Sequence, residues 1–225
     1  MKIDKAKKII EENKKSYDAI ADDFDTTRQY AWPEFEELAK YVKEGDSVLD
    51  IGCGNGRLYK YLNNELRVTN YEYVGVDQSE ELIKIAKKNN SGGKFKTADV
   101  FNLPFEAKAF DVVAGIAFLH HIPGQELRER VLKEIFRVLK PGGIVFLTNW
   151  NLFQIKLIRK YKLSIFDFYF EHAGLDAGDF WIPFQKQNRY YHHFKKKELI
   201  GLAKEFGFKV LAFQKGKNSV IILKK

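Results

Sequence analysis

The chain is poor in sulfur: its 225 residues include one cysteine, Cys53, and one methionine. A lone cysteine excludes an internal disulfide framework and any zinc site built on cysteine ligands, and no metal site is expected. Long apolar runs are missing too. No stretch approaches the roughly 20 residues that span a bilayer, so no membrane association is expected. The N-terminus, MKIDKAKKIIEENKK, lacks the continuous apolar segment of a secretory signal. These absences together point to a cytoplasmic protein. Internal repeats and low-complexity linkers are also lacking. The remaining composition, 45% hydrophobic and 30% charged, allows one globular domain with a sizeable core.

Charge is unevenly spread. Residues 1–150 carry 23 Lys/Arg against 24 Asp/Glu, and residues 151–225 carry 15 against 6. The net charge of +8 therefore comes entirely from the C-terminal third. A positive field there would concentrate a polyanion and steer its approach. The alternative is a solvated lysine-rich surface.

The apolar periodicity predicts an amphipathic helix over residues 5–23 and a short helix from Pro33 to Tyr41. Strand-like runs follow at Ser47–Ile51, Glu72–Val76, Phe95–Ala98, Asp111–Ile116 and Ile144–Asn149. Helices are expected between them at Gly56–Leu62, from the Ser79 N-cap to Lys88, and over Gln125–Leu139, stopped by Pro141-Gly142-Gly143. Such alternation implies a parallel sheet covered on both faces. The tail departs from it. A helix at Glu198–Phe206 precedes strands at Lys209–Phe213 and Ser219–Leu223, whose short connection makes the last strand antiparallel. Residues 150–194, rich in Phe, Tyr and Trp, fit neither a strand nor one long helix. They are expected to form an insertion above the C-terminal sheet edge, where open α/β folds bind ligands. The whole reads as one domain: an N-terminal helical lid (1–45), a cofactor-binding core (46–149), a substrate-binding insertion (150–194), and a C-terminal helix and hairpin (195–225).

The sharpest motif is Val48-Leu49-Asp50-Ile51-Gly52-Cys53-Gly54-Asn55-Gly56, a strand entering a glycine turn. Dinucleotide loops use G-x-G-x-x-G to seat a pyrophosphate. Here the spacing is G-x-G-x-G, and Asp50 would repel a pyrophosphate but attract an ammonium or a sulfonium. Asp77 closes the second strand and suits a ribose diol. Asp99 follows the third strand and is placed for an adenine amino group.

This constellation resembles the class I S-adenosylmethionine-dependent methyltransferases. The parts that carry the resemblance are VLDIGCGNG, YVGVD, ADVFNLPF, FDVVAGIAFLHHI and LKPGGIVFL, over about residues 46–148. The resemblance implies a doubly wound, Rossmann-like α/β fold with a mostly parallel seven-stranded sheet, and S-adenosyl-L-methionine as cofactor. It places Gly52 and Gly54 at the methionine part, Asp50 at its amine, Asp77 at the ribose, and Asp99 with Val100 at the adenine. Ile116 or Ala117 would touch the cofactor from the fourth strand. Tyr17, Arg28 and Gln78 complete the expected cofactor set, and Cys53 is assigned to packing.

Two flanking segments are similar to the tRNA wobble-uridine carboxyl methyltransferases, which esterify a carboxymethyl group on the base. One is Ser16–Ala21 with Thr26-Thr27-Arg28 and Trp32-Pro33. The other is Trp181-Ile182-Pro183-Phe184 with Arg189-Tyr190-Tyr191-His192-His193-Phe194. The resemblance implies a tRNA anticodon loop as partner and a small zinc-binding activator subunit. It departs at Phe184, where related enzymes often carry Trp. A carboxylate is already a nucleophile at neutral pH, so orientation rather than a base is required. The expected catalytic residues are Arg28 and Arg189 to grip the anion, Tyr191 and His192 to shape the pocket, and His121 at the cofactor edge. Trp150, Tyr190 and Tyr191 are candidates to stack on an unpaired base. Plainer alternatives are packing for Trp181 and Phe184, and a surface location for His192 and His193. A small-molecule methyltransferase acting on a quinone or another metabolite is the competing reading.

Overall fold

The computed structural model describes residues 1–65, 70–171 and 173–225. Seven strands make one sheet: β1 (Ser47–Ile51), β2 (Glu72–Asp77), β3 (Lys94–Thr97), β4 (Phe110–Gly115), β5 (Leu139–Trp150), then β8 (Lys209–Lys215) and β9 (Asn218–Lys224). Their order is β3-β2-β1-β4-β5-β9-β8. The first five run parallel, and β9 lies antiparallel between β5 and β8.

Strand alternation separates two cores. In β1, Leu49 and Ile51 join the side covered by α6 (Gln125–Val138) and α8 (Lys196–Glu205). Val48 joins the side covered by α3 (Pro33–Ala39), α4 (Arg57–Glu65) and α5 (Glu80–Asn89). Both faces are therefore apolar, and β1 reads as a continuous hydrophobic run broken only by Asp50.

Three expectations need correction. The N-terminal helix breaks at Ile20 into α1 (Ile3–Ala19) and α2 (Ala21–Thr27). Ile20 leaves helical geometry and is buried, and Phe24 on α2 then packs edge-on against Tyr17. Pro141-Gly142-Gly143 does not separate helix from strand but lies inside β5. A register shift opposite Phe110 and Val112 takes up the proline, whose missing N–H would break a regular ladder.

The third correction concerns residues 150–194, which contain regular structure. After α7 (Ile155–Tyr161), strands β6 (Asp179–Phe184) and β7 (Gln187–His192) form a separate antiparallel hairpin. A small core of Leu152, Phe168, Phe180, Ile182 and Tyr191 lies between the hairpin and the preceding segment. α1 packs along β7: the Asn13 side chain accepts from the Tyr190 N–H at 2.8 Å, and the Ser16 hydroxyl donates to the Asn188 carbonyl at 3.2 Å. The N-terminal helix and the hairpin thus close over the C-terminal edge of the sheet from two sides.

Candidate active site

β1 delivers Asp50 to this edge, and the chain then turns through Gly52, Gly54 and Gly56, all with positive φ (69°, 55° and 78°). Only glycine holds such a succession without a Cβ penalty. At Gly52 a Cβ would also come within 2.6 Å of the Phe118 ring. The loop is held flat by Asp77, which accepts the Gly54 N–H at 3.0 Å and the Ser79 N–H at 2.9 Å. Cys53 packs beneath it, buried, and burial with nearby Asp50 and Asp77 pushes its thiol well up. That suits packing and opposes a reactive thiolate.

Asp50 is 1% exposed. The Tyr73 hydroxyl donates to its Oδ2 at 2.6 Å, while buried Oδ1 has no partner among the described residues. Burial pushes this carboxyl up to about 7; the Tyr73 bond opposes the rise and Asp77 adds to it. A lone pair kept dry without a donor is costly. A ligand ammonium at the mouth of the loop would satisfy it, and the residues present therefore fit S-adenosylmethionine.

One cleft collects most of the expected residues. It is lined by Tyr17, Arg28, Asp50, Gly52, Gly54, Asp77, Gln78, Asp99, Val100, Ile116 and Ala117, and on the opposite wall by His121, Arg189 and Tyr191. Ala117 sits at φ 54°, in a region non-glycine residues avoid, and its N–H is held by the Thr148 hydroxyl at 2.8 Å. That turn sends the chain from β4 into the short 3₁₀ segment Leu119–His121.

A polar relay crosses the cleft. The Arg189 guanidinium donates to the Tyr17 hydroxyl at 3.4 Å, and Tyr17 lies 2.8 Å from His121 Nε2. His121 Nδ1 is 2.9 Å from the Tyr190 carbonyl, so Nδ1 carries the proton and Nε2 accepts from Tyr17. Burial lowers His121 to about 3; the carbonyl bond opposes this and Arg189 adds to it. His121 is therefore neutral, with both ring nitrogens engaged. The Tyr191 ring lies nearly parallel to those of Trp150 and His120, with ring centroids 5.0 Å from each.

His192 lies elsewhere. Its side chain bridges Asp179 (2.7 Å) and Glu198 (2.8 Å), is buried, and does not line the cleft. Tyr190 shares that side, with its hydroxyl on Asp179 and bonded by Arg128, and is not free to stack on a base. The cause is strand alternation in β7: Arg189 and Tyr191 face the cleft, so Tyr190 and His192 face away. His193 is also buried rather than on the surface.

Two features, one in the cleft and one beside it, escaped the sequence. Arg57, at the start of α4, enters the cleft with its guanidinium 4.2 Å from the Trp32 ring. Burial and then Arg28 lower it to about 10. The signal was a basic residue directly after the glycine turn. Phe184, at the end of β6, meets two cations: Arg28 and Arg189 lie 4.8 and 4.7 Å from its ring centre. Its ring thus faces both guanidiniums within cation–π range, which simple packing does not require.

A sheet of this order, with its last strand antiparallel and carboxylates on a glycine loop and the next strand end, defines a class I S-adenosylmethionine-dependent methyltransferase. The family described as a methyltransferase domain matches residues 49–147. A protein of Encephalitozoon cuniculi, named only as a methyltransferase, is 33% identical over 199 residues, covering 87% of this chain and 86% of that one. A tRNA (carboxymethyluridine(34)-5-O)-methyltransferase of Arabidopsis thaliana is 38% identical over 134 residues, 60% of this chain and 31% of the plant protein. The chain thus spans about a third of that relative. Among solved structures, a SAM-dependent methyltransferase of Methanosarcina mazei superposes with TM-score 0.72 at 28% identity, covering 87% of this chain and 98% of the other. The chain belongs to the methyltransferase family, and its cofactor is S-adenosylmethionine.

Proposed function

We propose that this methyltransferase esterifies the carboxylate of a carboxymethyl group on the wobble uridine of tRNA. One observation carries the reading: three guanidiniums, Arg28, Arg57 and Arg189, line the cleft, and none has a carboxylate partner among the described residues. Arg189 is 1% exposed and its Nε is unpaired. A buried cation without a counter-ion is expensive, so the site is built for anionic ligands. The cofactor's own carboxylate answers one or two of these cations and leaves Arg189, on the hairpin, for the acceptor. When bound, S-adenosylmethionine supplies an electrophilic methyl on sulfur. The chain's residues then have only to strip water from the acceptor carboxylate, hold it by Arg189, which Tyr17 steadies by accepting one of its N–H groups, and align it. No base is asked for, and neutral His121 is none. A quinone would gain nothing from three unpaired guanidiniums.

A zinc-binding activator belongs to the same reading, carried by the resemblance alone, and would show as stimulation of turnover when added. The deciding experiment is mass spectrometry of nucleosides from tRNA incubated with enzyme and methyl-labelled cofactor. Substrate tRNA carrying carboxymethyluridine should yield its methyl ester, and tRNA with plain uridine should stay unlabelled. Label on an unmodified base, or on neither RNA, overturns the proposal.

A further inference from the structure

The outer side of the insertion is unusually greasy for a surface. Among the described residues, Phe153, Ile155, Ile165, Phe166, Tyr169 and Phe170 are all exposed, between 40 and 70%. All six fall within eighteen consecutive residues, on the far side of the small core whose inner member, Tyr191, walls the cleft. Exposed apolar clusters of this kind mark interaction sites.

Charge indicates the partner. Residues 151–170 carry Lys156, Arg159, Lys160 and Lys162 against Asp167 alone. α7 has no acidic residue in its first turn, and none of its side chains is fully buried. From the start of α8, Lys195 lays its ammonium 4.8 Å from the Tyr169 ring. Phe166 and Phe170 stack on each other, centroids 4.5 Å apart and planes within 20°, each more than half exposed. Flat rings interleaved with cations form the chemistry that holds unpaired bases and their phosphates: each ring offers a π-face to any base, and the cations track the backbone. An apolar protein partner would not need the cations.

The ridge also adjoins the acceptor side of the cleft. Trp150, in the cleft wall, leads directly into it. Tyr161, the last residue of α7, packs against the small core that includes Tyr191 of the cleft wall.

We propose that this ridge, residues 153–170 with Lys195, is a docking surface for single-stranded RNA that receives the unpaired nucleotides flanking the one in the cleft. The inference rests on RNA being the substrate and adds where the strand runs. It differs from general attraction by the basic C-terminal third in requiring the rings.

The test is fluorescence anisotropy with a labelled anticodon stem-loop and a fully paired RNA duplex. Wild type is compared with Phe166→Ser/Phe170→Ser and with Lys156→Glu/Lys160→Glu. All four positions are exposed, and S-adenosylhomocysteine affinity checks that the variants fold. Loss of stacking should weaken stem-loop binding on the order of tenfold while duplex binding is unchanged. The charge variant should weaken both RNAs and flatten the salt dependence, by about 0.7 in log–log slope per lost phosphate contact with a single strand. Equal stem-loop affinity for wild type and the Ser variant overturns the ridge, as does failure of wild type to bind either RNA. So does sedimentation showing that the rings hold a dimer, or phosphatidylserine vesicles binding wild type but not the Ser variant while stem-loop affinity is unchanged. If the ridge binds RNA but no carboxymethyluridine is esterified, the docking surface stands and the proposed acceptor falls. If esterification occurs with the ridge variants unaffected, the reverse holds.

Discussion

Replacing Arg189 by Met should separate catalysis from stability, because the structure puts opposite signs on the two. Arg189 is buried at 1% exposure and holds the Tyr17 hydroxyl only at 3.4 Å. Its remaining contacts are the faces of Tyr17, Phe184 and Tyr191, at 5.6, 4.7 and 5.3 Å. Such contacts contribute about 0.5–1 kcal/mol each, more when desolvated. Against that stands a desolvation cost of several kcal/mol for a charge with no counter-ion. Methionine fills a similar shape without the charge. The free protein should therefore melt at or above the wild-type temperature. Methyl transfer should suffer. A charge-assisted hydrogen bond to the acceptor carboxylate contributes about 1.5–3 kcal/mol, so kcat/KM should fall roughly 10- to 150-fold. S-adenosylhomocysteine affinity should stay near wild type if Arg28 and Arg57 serve the cofactor. Melting curves, cofactor calorimetry and single-turnover rates on carboxymethyluridine tRNA read the three quantities. A variant that loses stability, cofactor and turnover together would show Arg189 to be structural, and the anion-site argument would fail.

Phe184→Leu should remove the ring face that both Arg28 and Arg189 lie against and let these like charges drift, raising KM for the RNA several-fold with cofactor affinity intact; an unchanged KM would demote the ring to packing. Asp77→Asn should weaken S-adenosylhomocysteine by about 1.5–3 kcal/mol, since the ribose loses a charged acceptor, and unchanged calorimetric affinity would refute that placement. With S-adenosylmethionine saturating, whose ammonium would hold Asp50 ionised against its rise to about 7 in the free protein, the wild-type single-turnover rate should be flat from about pH 6 to about 9, because neither His121 nor the acceptor carboxylate titrates there. A steep rise that vanishes in His121→Gln would reveal a general base and a different acceptor. His121 and His193 are held at about 3 and about 4 in the folded state, below the unfolded value near 6.5. The unfolded chain thus protonates these two histidines first as pH falls, so their contribution to stability should be full above about 6.5 and drain below it, against an opposite contribution from Asp50, raised to about 7 in the fold. His121→Gln should shrink that loss in acid-unfolding curves.

The core was legible because its constraints are local. A strand buried on both faces must read Val48-Leu49-Asp50-Ile51, and a chain turning through three left-handed positions must use glycine. Carboxylates at successive strand ends must converge on one sheet edge once the strands are parallel. Family, cofactor and most of the cleft wall could thus be read in order along the chain. The insertion could not. Asp179–Phe184 is apolar on both faces and contains a proline, so it lacks the alternation that marks a strand. With β6 and β7 unrecognised, the two-residue period of β7 was unavailable, and His192 was grouped with Arg189 and Tyr191 although its side chain points the opposite way. Arg57 and Phe184 depend on contacts from Trp32, Arg28 and Arg189, distant along the chain. Whether a guanidinium is paired depends on what the fold brings within a few ångströms of it. By itself the sequence determined the strands of the main sheet, the glycine turn and the carboxylates, because backbone sterics and burial act residue by residue. Only the tertiary structure decided which cations remain unpaired in the cleft, because pairing is a relation between residues that meet only when the chain is folded.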